Sequence, residues 1–236
     1  MSENLLFVVS GPSGVGKGTV LAEMMEQDGS LSYSVSATTR NKRVSEAEGV
    51  NYYYKTEEEF ERLIESGDIL EWDIYQGNRY GTLVYSLNKS LSEGKNLALD
   101  ITVPGAVRVK ELYAERAVSV FILPPSLEEL RRRLIECGRE SISEIDDRLK
   151  FAVFHEMPEY VKFDYVLIND VLEKAVSDLL AILHTEFRKR TAGNTEEREN
   201  ASEEAARTAA FLTSANPDIL EEKLHISDFI NKYYKQ

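Results

Sequence analysis

Short apolar runs alternate along the chain with segments whose apolar residues recur every three or four positions. The first run, "LLFVVS" (Leu5 to Ser10), is continuous and uncharged, the pattern of a strand buried on both faces of a parallel sheet. After a glycine-rich link, "GTVLAEMMEQ" sets Val20, Leu21, Met24 and Met25 on one helical stripe. "LSYSVSATTR" (Leu31 to Arg40) predicts a second strand that runs into a polar loop. Thr56, with Glu59 three residues on, forms a capping box for a helix whose apolar face is Phe60, Leu63 and Ile64. Gly67 marks the end of that helix.

"KNLALD", ending at Asp100, and "VSVFILPP", ending at Pro125, predict two further buried strands. Each leads into a helix, first "GAVRVKELYAER" and then "SLEELRRRLIEC" with Ser126 as its cap. "DYVLIND" (Asp164 to Asp170) predicts a last strand and "VLEKAVSDLLAILHTEF" a last long helix. Strands alternating with helices predict an α/β fold, a parallel sheet flanked by helices, with ligands collecting at the carboxyl ends of the strands. Two segments break the alternation. One runs from Arg40 to about Tyr85 and is rich in Tyr, Glu and Arg; the other, from about Arg133 to Arg148, is rich in Arg. At the carboxyl edge of such a sheet, inserts are natural substrate and lid elements.

Beyond Arg190 the composition turns polar and charged, so "TAGNTEERENASEEAARTAA" predicts a linker or a loosely held helix. Periodicity returns with Ile219, Leu220, Leu224 and Ile226, which predict a small helical piece. Two readings stay open for it: a solvated extension, and an apolar stripe that contacts a second copy of the chain, giving a homo-oligomer, or another partner.

The length of 236 residues suits one α/β domain with small inserts. No apolar run is long enough to span a membrane, and "MSEN" lacks the basic charge of a signal peptide, so a soluble cytoplasmic protein is expected. A single cysteine, Cys137, rules out an internal disulfide framework and also suits a reducing cytoplasm. His155, His184 and His225 are scattered without metal-ligand spacing. The net charge of −13 argues against nucleic acid as a partner, and any phosphorylated substrate must be met by local basic clusters.

One such place is "GPSGVGKGT", with the G-x-x-x-x-G-K frame of a phosphate loop in Gly11, Gly16 and Lys17. Strand, glycine loop and helix in that order aim backbone amides and a helix N-terminus at one point, where phosphate binds. The position after the lysine, commonly a Ser or Thr that ligates magnesium, is Gly18. A second place is the first insert. Arg40 and Arg43 stand three apart beside Ser36, and "NYYY" and "NRYGT" add Tyr52, Tyr80 and Thr82. Two guanidinium forks and two phenols are what a phosphate monoester requires. Glu71 in "LEWD" lies on the edge of an apolar run beside Trp72, as either a solvated charge or a buried acceptor.

In order and spacing, "SGPSGVGKGT", "SVSATTRNKR", "GVNYYY", "ILEW", "GNRYGT", "FILPPSLEEL" and "VLIND" resemble the motifs of guanylate kinases, which move a phosphoryl group from ATP to GMP. The resemblance covers about Leu5 to Arg190. It implies a P-loop kinase core (1–35, 86–132 and 149–190), a nucleoside-monophosphate-binding insert (36–85), a short lid (133–148) and a C-terminal extension (191–236). It further implies that Ser36, Glu71 and Thr82 hold guanine, that Arg40, Arg43, Tyr52 and Tyr80 hold the GMP phosphate, and that Gly81 and Asp100 belong to the same site. ATP is expected on Gly11, Ser13, Gly14, Gly16, Lys17, Gly18, Thr19, Arg139 and Asn169. Lys17, Arg40, Arg43, Arg133 and Arg148 are the expected catalytic cations, whereas Arg131 and Arg132 suit a solvated helix face. Several monophosphate kinases carry G-K-G-T, with Mg2+ held by ATP and water rather than by the protein; that is the cofactor arrangement expected here.

The chain departs from the family pattern at "DITVPG", where Thr102 and Pro104 replace a second aspartate and a glutamine, and at Arg79, where a tyrosine is common. Cys137 also stands where an arginine is frequent, with Arg139 two places later. Two alternatives remain beside the GMP kinase: a P-loop kinase for another phosphorylated acceptor, raised by "DITVPG", and a non-catalytic guanylate-kinase-like module, opposed by the intact Gly16 and Lys17.

Overall fold

The structure is a computed structural model that describes residues 4–138, 141–192 and 224–233. In chain order its first elements are β1 (Leu6–Ser10), α1 (Lys17–Gln27), β2 (Leu31–Tyr33), β3 (Ala37–Thr38), β4 (Tyr53–Tyr54) and α2 (Glu57–Glu65). Next come β5 (Ile69–Tyr75), β6 (Asn78–Leu83), α3 (Val84–Ser92), β7 (Asn96–Asp100) and α4 (Val103–Tyr113). Later elements are β8 (Ala117–Leu123), α5 (Leu127–Glu136), α6 (Ile142–Phe151), β9 (Tyr165–Ile168), α7 (Leu172–Thr191) and α8 (Ile226–Tyr233). The fold is α/β, with parallel strands and flanking helices. The chain divides into two compact units, Met1–Val9 with Met25–Val118, and Ser10–Met24 with Ser119–Gln236.

In the first unit β2, β7 and β1 lie in that order and run parallel, with Leu6 facing Leu97 and Val9 facing Asp100. Leu6 to Val9 and Asn96 to Leu99 are all buried, which is why these runs carry almost no polar alternation. The insert builds its own sheet in the order β4-β3-β6-β5, with β6 antiparallel to both neighbours. One face of that sheet packs on α2: Ala37, Phe60 and Leu83 are buried there with Tyr53, Leu63, Ile64 and Ile69 against them. The capping box of α2 is present, with Thr56 Oγ1 accepting from Glu59 N, and Gly67 follows its end at φ +74°.

The expected second strand is short, and the segment after it is not simply loop. β2 stops at Tyr33, Ser34 N still donates to Ala98 O (2.9 Å), and Ala37–Thr38 then joins the second sheet. Alternation with period two is the same whether a segment serves one sheet or two, so the pattern could not expose the break. Helix α4 begins at Val103, two residues before the expected start. Thr102 is its N-cap, accepting from Gly105 N at 3.4 Å, and Pro104 sits in the first turn, where no N–H is needed. Thr102 and Pro104, the departures in "DITVPG", thus have a local role in starting a helix. Arg79 has one too: it bridges Glu57 (3.3 Å) and Glu61 on α2 and lies over the Trp72 ring at 5.3 Å.

In the second unit all seven residues of β8 are buried, and β8 pairs in parallel with β9, Val120 facing Tyr165 and Leu123 facing Ile168. α5 ends at Glu136, within the expected helix, but the Arg-rich stretch is more helical than expected in its second half, where α6 starts at Ile142. Ser141 and Glu144 form the capping box of α6, an S-x-x-E signal visible in the sequence. Arg139, expected on the ATP side, lies outside the described residues, as do Ile219, Leu220 and most of the extension. Of that extension Leu224 is buried and Ile226 opens α8. Among the described residues no helix is long and apolar enough to cross a membrane.

Candidate functional site

In the second unit, the link from Ser10 to α1 is the phosphate loop. Its course requires glycine at the start: Gly11 has φ +143°, and a Cβ there would press into the Ile122 carbonyl oxygen. Lys17, the first residue of α1, donates from Nζ to the carbonyls of Gly11 (2.7 Å) and Pro12 (3.3 Å). Its ammonium therefore rests on the loop's own oxygens, which a phosphate can replace. Gly18 and Thr19 follow, both exposed on the first turn of the helix.

Arg133, on the last turn of α5, braces this loop. Nη1 donates to Val15 O (3.0 Å), Nη2 to Asn169 O (2.9 Å) and Nε to Glu129 (2.8 Å). Asn169 Nδ2 also donates to Val15 O (2.9 Å), and Arg148 donates to Ser13 Oγ. Leu134 packs against Gly14. Hydrogen bonds from Arg132 and Arg133 hold the Glu129 carboxyl well below the usual range, at about 2. Arg132, half exposed, pairs with Glu129 and Glu136 on the solvated face expected of it, whereas Arg131 is partly buried and reaches across to Asp146 on α6. The structure thus brings Gly11, Ser13, Gly14, Gly16, Lys17, Arg133, Arg148 and Asn169 together.

In the first unit, the insert sheet's other face carries the second group. Register puts Glu71 opposite Thr82, and Thr38 opposite Tyr80, so Ser36 continues the row that crosses Thr82 and Glu71. Tyr53 N donates to Ser36 O (2.8 Å), which places Tyr52 on this same side while Tyr53 faces α2. Gly81 faces α2 and Phe60 instead, so its part is to let strand and helix close up. Glu71 is 6 % exposed and accepts from Thr82 Oγ1 at 2.5 Å. Burial pushes its carboxyl up to about 7 against the pull of Thr82.

Farther along this face Arg40 lies over the rings of Tyr52 (5.4 Å) and Tyr54 (5.8 Å), and Tyr52 meets Tyr80 edge-on at 5.8 Å. Arg40 Nη2 donates to Glu46 at 2.7 Å, Arg43 N at 2.9 Å and Tyr54 Oη at 2.8 Å. The Arg43 guanidinium is half exposed, 3.7 Å from the same carboxylate. Glu46, held at about 2 mainly by Arg40, occupies the donors that a phosphate would take. Burial, then the Asp100 charge, pushes the Tyr52 phenol up to about 12, so it stays a hydrogen-bond donor at neutral pH. Tyr33 is raised by the same two causes.

Glu46, Tyr54, Tyr33 and Glu129 were not singled out from the sequence. The signal was present for one of them: Glu129 precedes Arg133 by four residues on a helix, a spacing at which ion pairs form. His155, His184 and His225 are exposed, and among the described residues no group of three His, Cys, Asp or Glu is arranged to hold a metal ion.

A phosphate loop opening a helix, on an α/β fold whose insert displays arginines, phenols and a buried carboxylate, defines the class of P-loop nucleotide-handling proteins. The family follows from comparison: a profile described as guanylate kinase matches residues 3–186, and the chain belongs to the guanylate kinase family. It is 44% identical over 188 residues to a guanylate kinase of Halalkalibacterium halodurans, covering 80% of this chain and 91% of that protein. With that of Caldanaerobacter subterraneus subsp. tengcongensis it shares 45% over 184 residues, 78% of this chain and 88% of the relative. A crystal structure of guanylate kinase from Anaplasma phagocytophilum is similar in fold, with a TM-score of 0.69 and 35% identity. That match covers 85% of this chain and 96% of the other.

Proposed function

We propose that this protein transfers the γ-phosphoryl group of ATP to GMP, and also to dGMP, giving ADP and the diphosphate. The observation that carries the acceptor's identity is Glu71, a buried carboxylate in one row with Thr82 and Ser36. Guanine presents N1–H and an exocyclic amino group as adjacent donors, which one carboxylate accepts together, and its O6 accepts from a hydroxyl. Adenine has an acceptor at N1 and leaves Glu71 unpaired, a costly mismatch in a buried site. Neither base nor phosphate recognition calls on a 2′-hydroxyl, so the deoxynucleotide is accepted too.

Arg40, Arg43, Tyr52 and Tyr80 receive the GMP phosphate as it displaces Glu46 from Arg40. On the ATP side the loop amides and the N-terminus of α1 hold the β-phosphate, and Lys17 leaves the Gly11 carbonyl for the β- and γ-phosphates. Arg133 and Arg148 are already at the loop, the former bracing it and the latter on Ser13. Thr19, exposed beside Gly18, is free to turn toward a phosphate oxygen. An Mg2+ carried by ATP oxygens and water fits a loop with Gly18 in place of a hydroxyl ligand, and it would supply charge neutralisation between β- and γ-phosphates. Transfer is in-line and needs no covalent enzyme intermediate, because positioning and charge stabilisation do most of the work. The exposed free thiol of Cys137 suits work in the reducing cytoplasm.

The phosphate clamp has its own test. Arg40→Ala is expected to weaken GMP binding about 10- to 100-fold, the worth of charge-assisted hydrogen bonds to one guanidinium. Binding of guanosine, which has no phosphate, should change little. Titration of both ligands reads the difference; equal losses for the two would show that Arg40 supports the insert rather than the phosphate.

A further inference from the structure

Gly105 is the third residue of α4, in an ordinary right-handed turn, so nothing in its backbone conformation calls for glycine. Glycine is a poor helix former, and an alanine there would suit the turn better. What excludes a side chain is Glu71. A Cβ built on Gly105 would lie well inside van der Waals contact of Glu71 Oε2, 2.9 Å from Glu71 Cδ and 3.4 Å from Thr102 Oγ1. The other carboxylate oxygen is taken by Thr82 Oγ1. Glu71 thus has one oxygen fixed by β6 and the other laid against the bare backbone of α4, whose first turn favours negative charge.

We propose that Gly105 is a positioning residue for base recognition: the absent side chain leaves the space that the Glu71 carboxylate needs to face guanine. Thr102 sets the height of this turn by capping α4 through Gly105 N. "DITVPG" thereby contributes to specificity through its glycine and its cap, although it lacks the family's second acidic residue. The Cβ of an alanine at 105 meets first the far end of the Glu71 side chain, so the fold can yield by swinging Glu71 away. Recognition is lost where the fold survives. This rests on the reading that Glu71 accepts from guanine.

The test is a double-mutant cycle with Gly105→Ala, Glu71→Ala and the pair. Steady-state kinetics are measured for GMP and for IMP, which lacks the 2-amino donor, together with KM for ATP and thermal melting. Gly105→Ala is expected to raise KM for GMP at least about 30-fold, as for a lost charged acceptor, with KM for ATP unchanged and the GMP-over-IMP preference reduced. In the Glu71→Ala background the same substitution should cost about twofold or less, because its target is gone. Should Gly105→Ala fail to fold, the double variant should fold again if the clash with Glu71 is the cause; an unfolded double variant overturns the proposal. A normal KM for GMP in Gly105→Ala, beside an impaired Glu71→Ala, overturns it while sparing the base reading. So do equal losses in both backgrounds. A normal KM for GMP in Glu71→Ala removes the base reading and this inference with it.

Discussion

Lys17→Ala is expected to lower kcat by about a thousandfold, the upper end of the range for removing one preorganised donor to a transition-state oxygen. The loop does not depend on this side chain for its shape. Its course is set by Gly11 against Ile122, by Arg133 and Asn169 on the Val15 carbonyl, and by Leu134 on Gly14. Lys17 makes two bonds to loop carbonyls, which solvent can satisfy once the ammonium is gone. What disappears is the one mobile charge at the start of α1 that can follow the transferring group. Affinity for GMP, whose proposed contacts belong to the first unit, should stay near that of the intact protein. Single-turnover kinetics with titration of GMP separates the two quantities; a matching fall in GMP affinity would point to general damage instead.

Replacing Glu71 should have an effect of similar size but on discrimination. With Glu71→Ala, kcat/KM for GMP is expected to fall about 10³-fold or more, since two guanine donors lose their acceptor in a buried site. AMP gains nothing by comparison and the ratio between the two collapses. The carboxyl also sets a pH signature. Burial holds it at about 7 in the free protein, and in the proposed role only the ionised form accepts both guanine donors together. KM for GMP should therefore be lowest above pH 7 and rise, toward tenfold per unit, as pH falls below it. The effect on fold stability has the opposite sign. The folded value lies above the ordinary 4.5, so the contribution is complete below that pH and is lost as pH rises through 7. Glu71→Gln should flatten the KM profile and melt higher than the parent at pH 8, with the gap closing near pH 4.5. Parallel pH profiles of KM and melting temperature for the two proteins check both signs.

The sequence exposed most of what is regular and little of what is brought together from afar. β1, β7 and β8 were legible as unbroken apolar runs because burial on both faces leaves no room for polar residues. α2 and α5 were legible because their caps, Thr56 and Ser126, stand beside strong periodicity. The insert sheet was not: β3 and β4 are two residues each, too short for any period to show. Its hairpin did carry a signal in Gln76 and Gly77, whose positive φ values of 48° and 75° mark a tight turn between alternating strands. The arginines, phenols and Glu71 could be named from residue chemistry and family motifs. Glu46 and Gly105 could not, because each matters through a carboxylate that sequence alone leaves unplaced: Glu46 through its hold on Arg40, Gly105 through the oxygen it makes room for.

On the proposed function, a phosphate loop with Gly18 serves ATP while Glu71 and the arginine clamp select GMP as acceptor. Release of ADP from ATP and Mg2+ tests it most directly, measured with GMP, with dGMP, with AMP and with no acceptor. Release is expected to be rapid with GMP and dGMP, and little above background with AMP or with no acceptor. Release that is indifferent to GMP, or as fast with AMP, would contradict it.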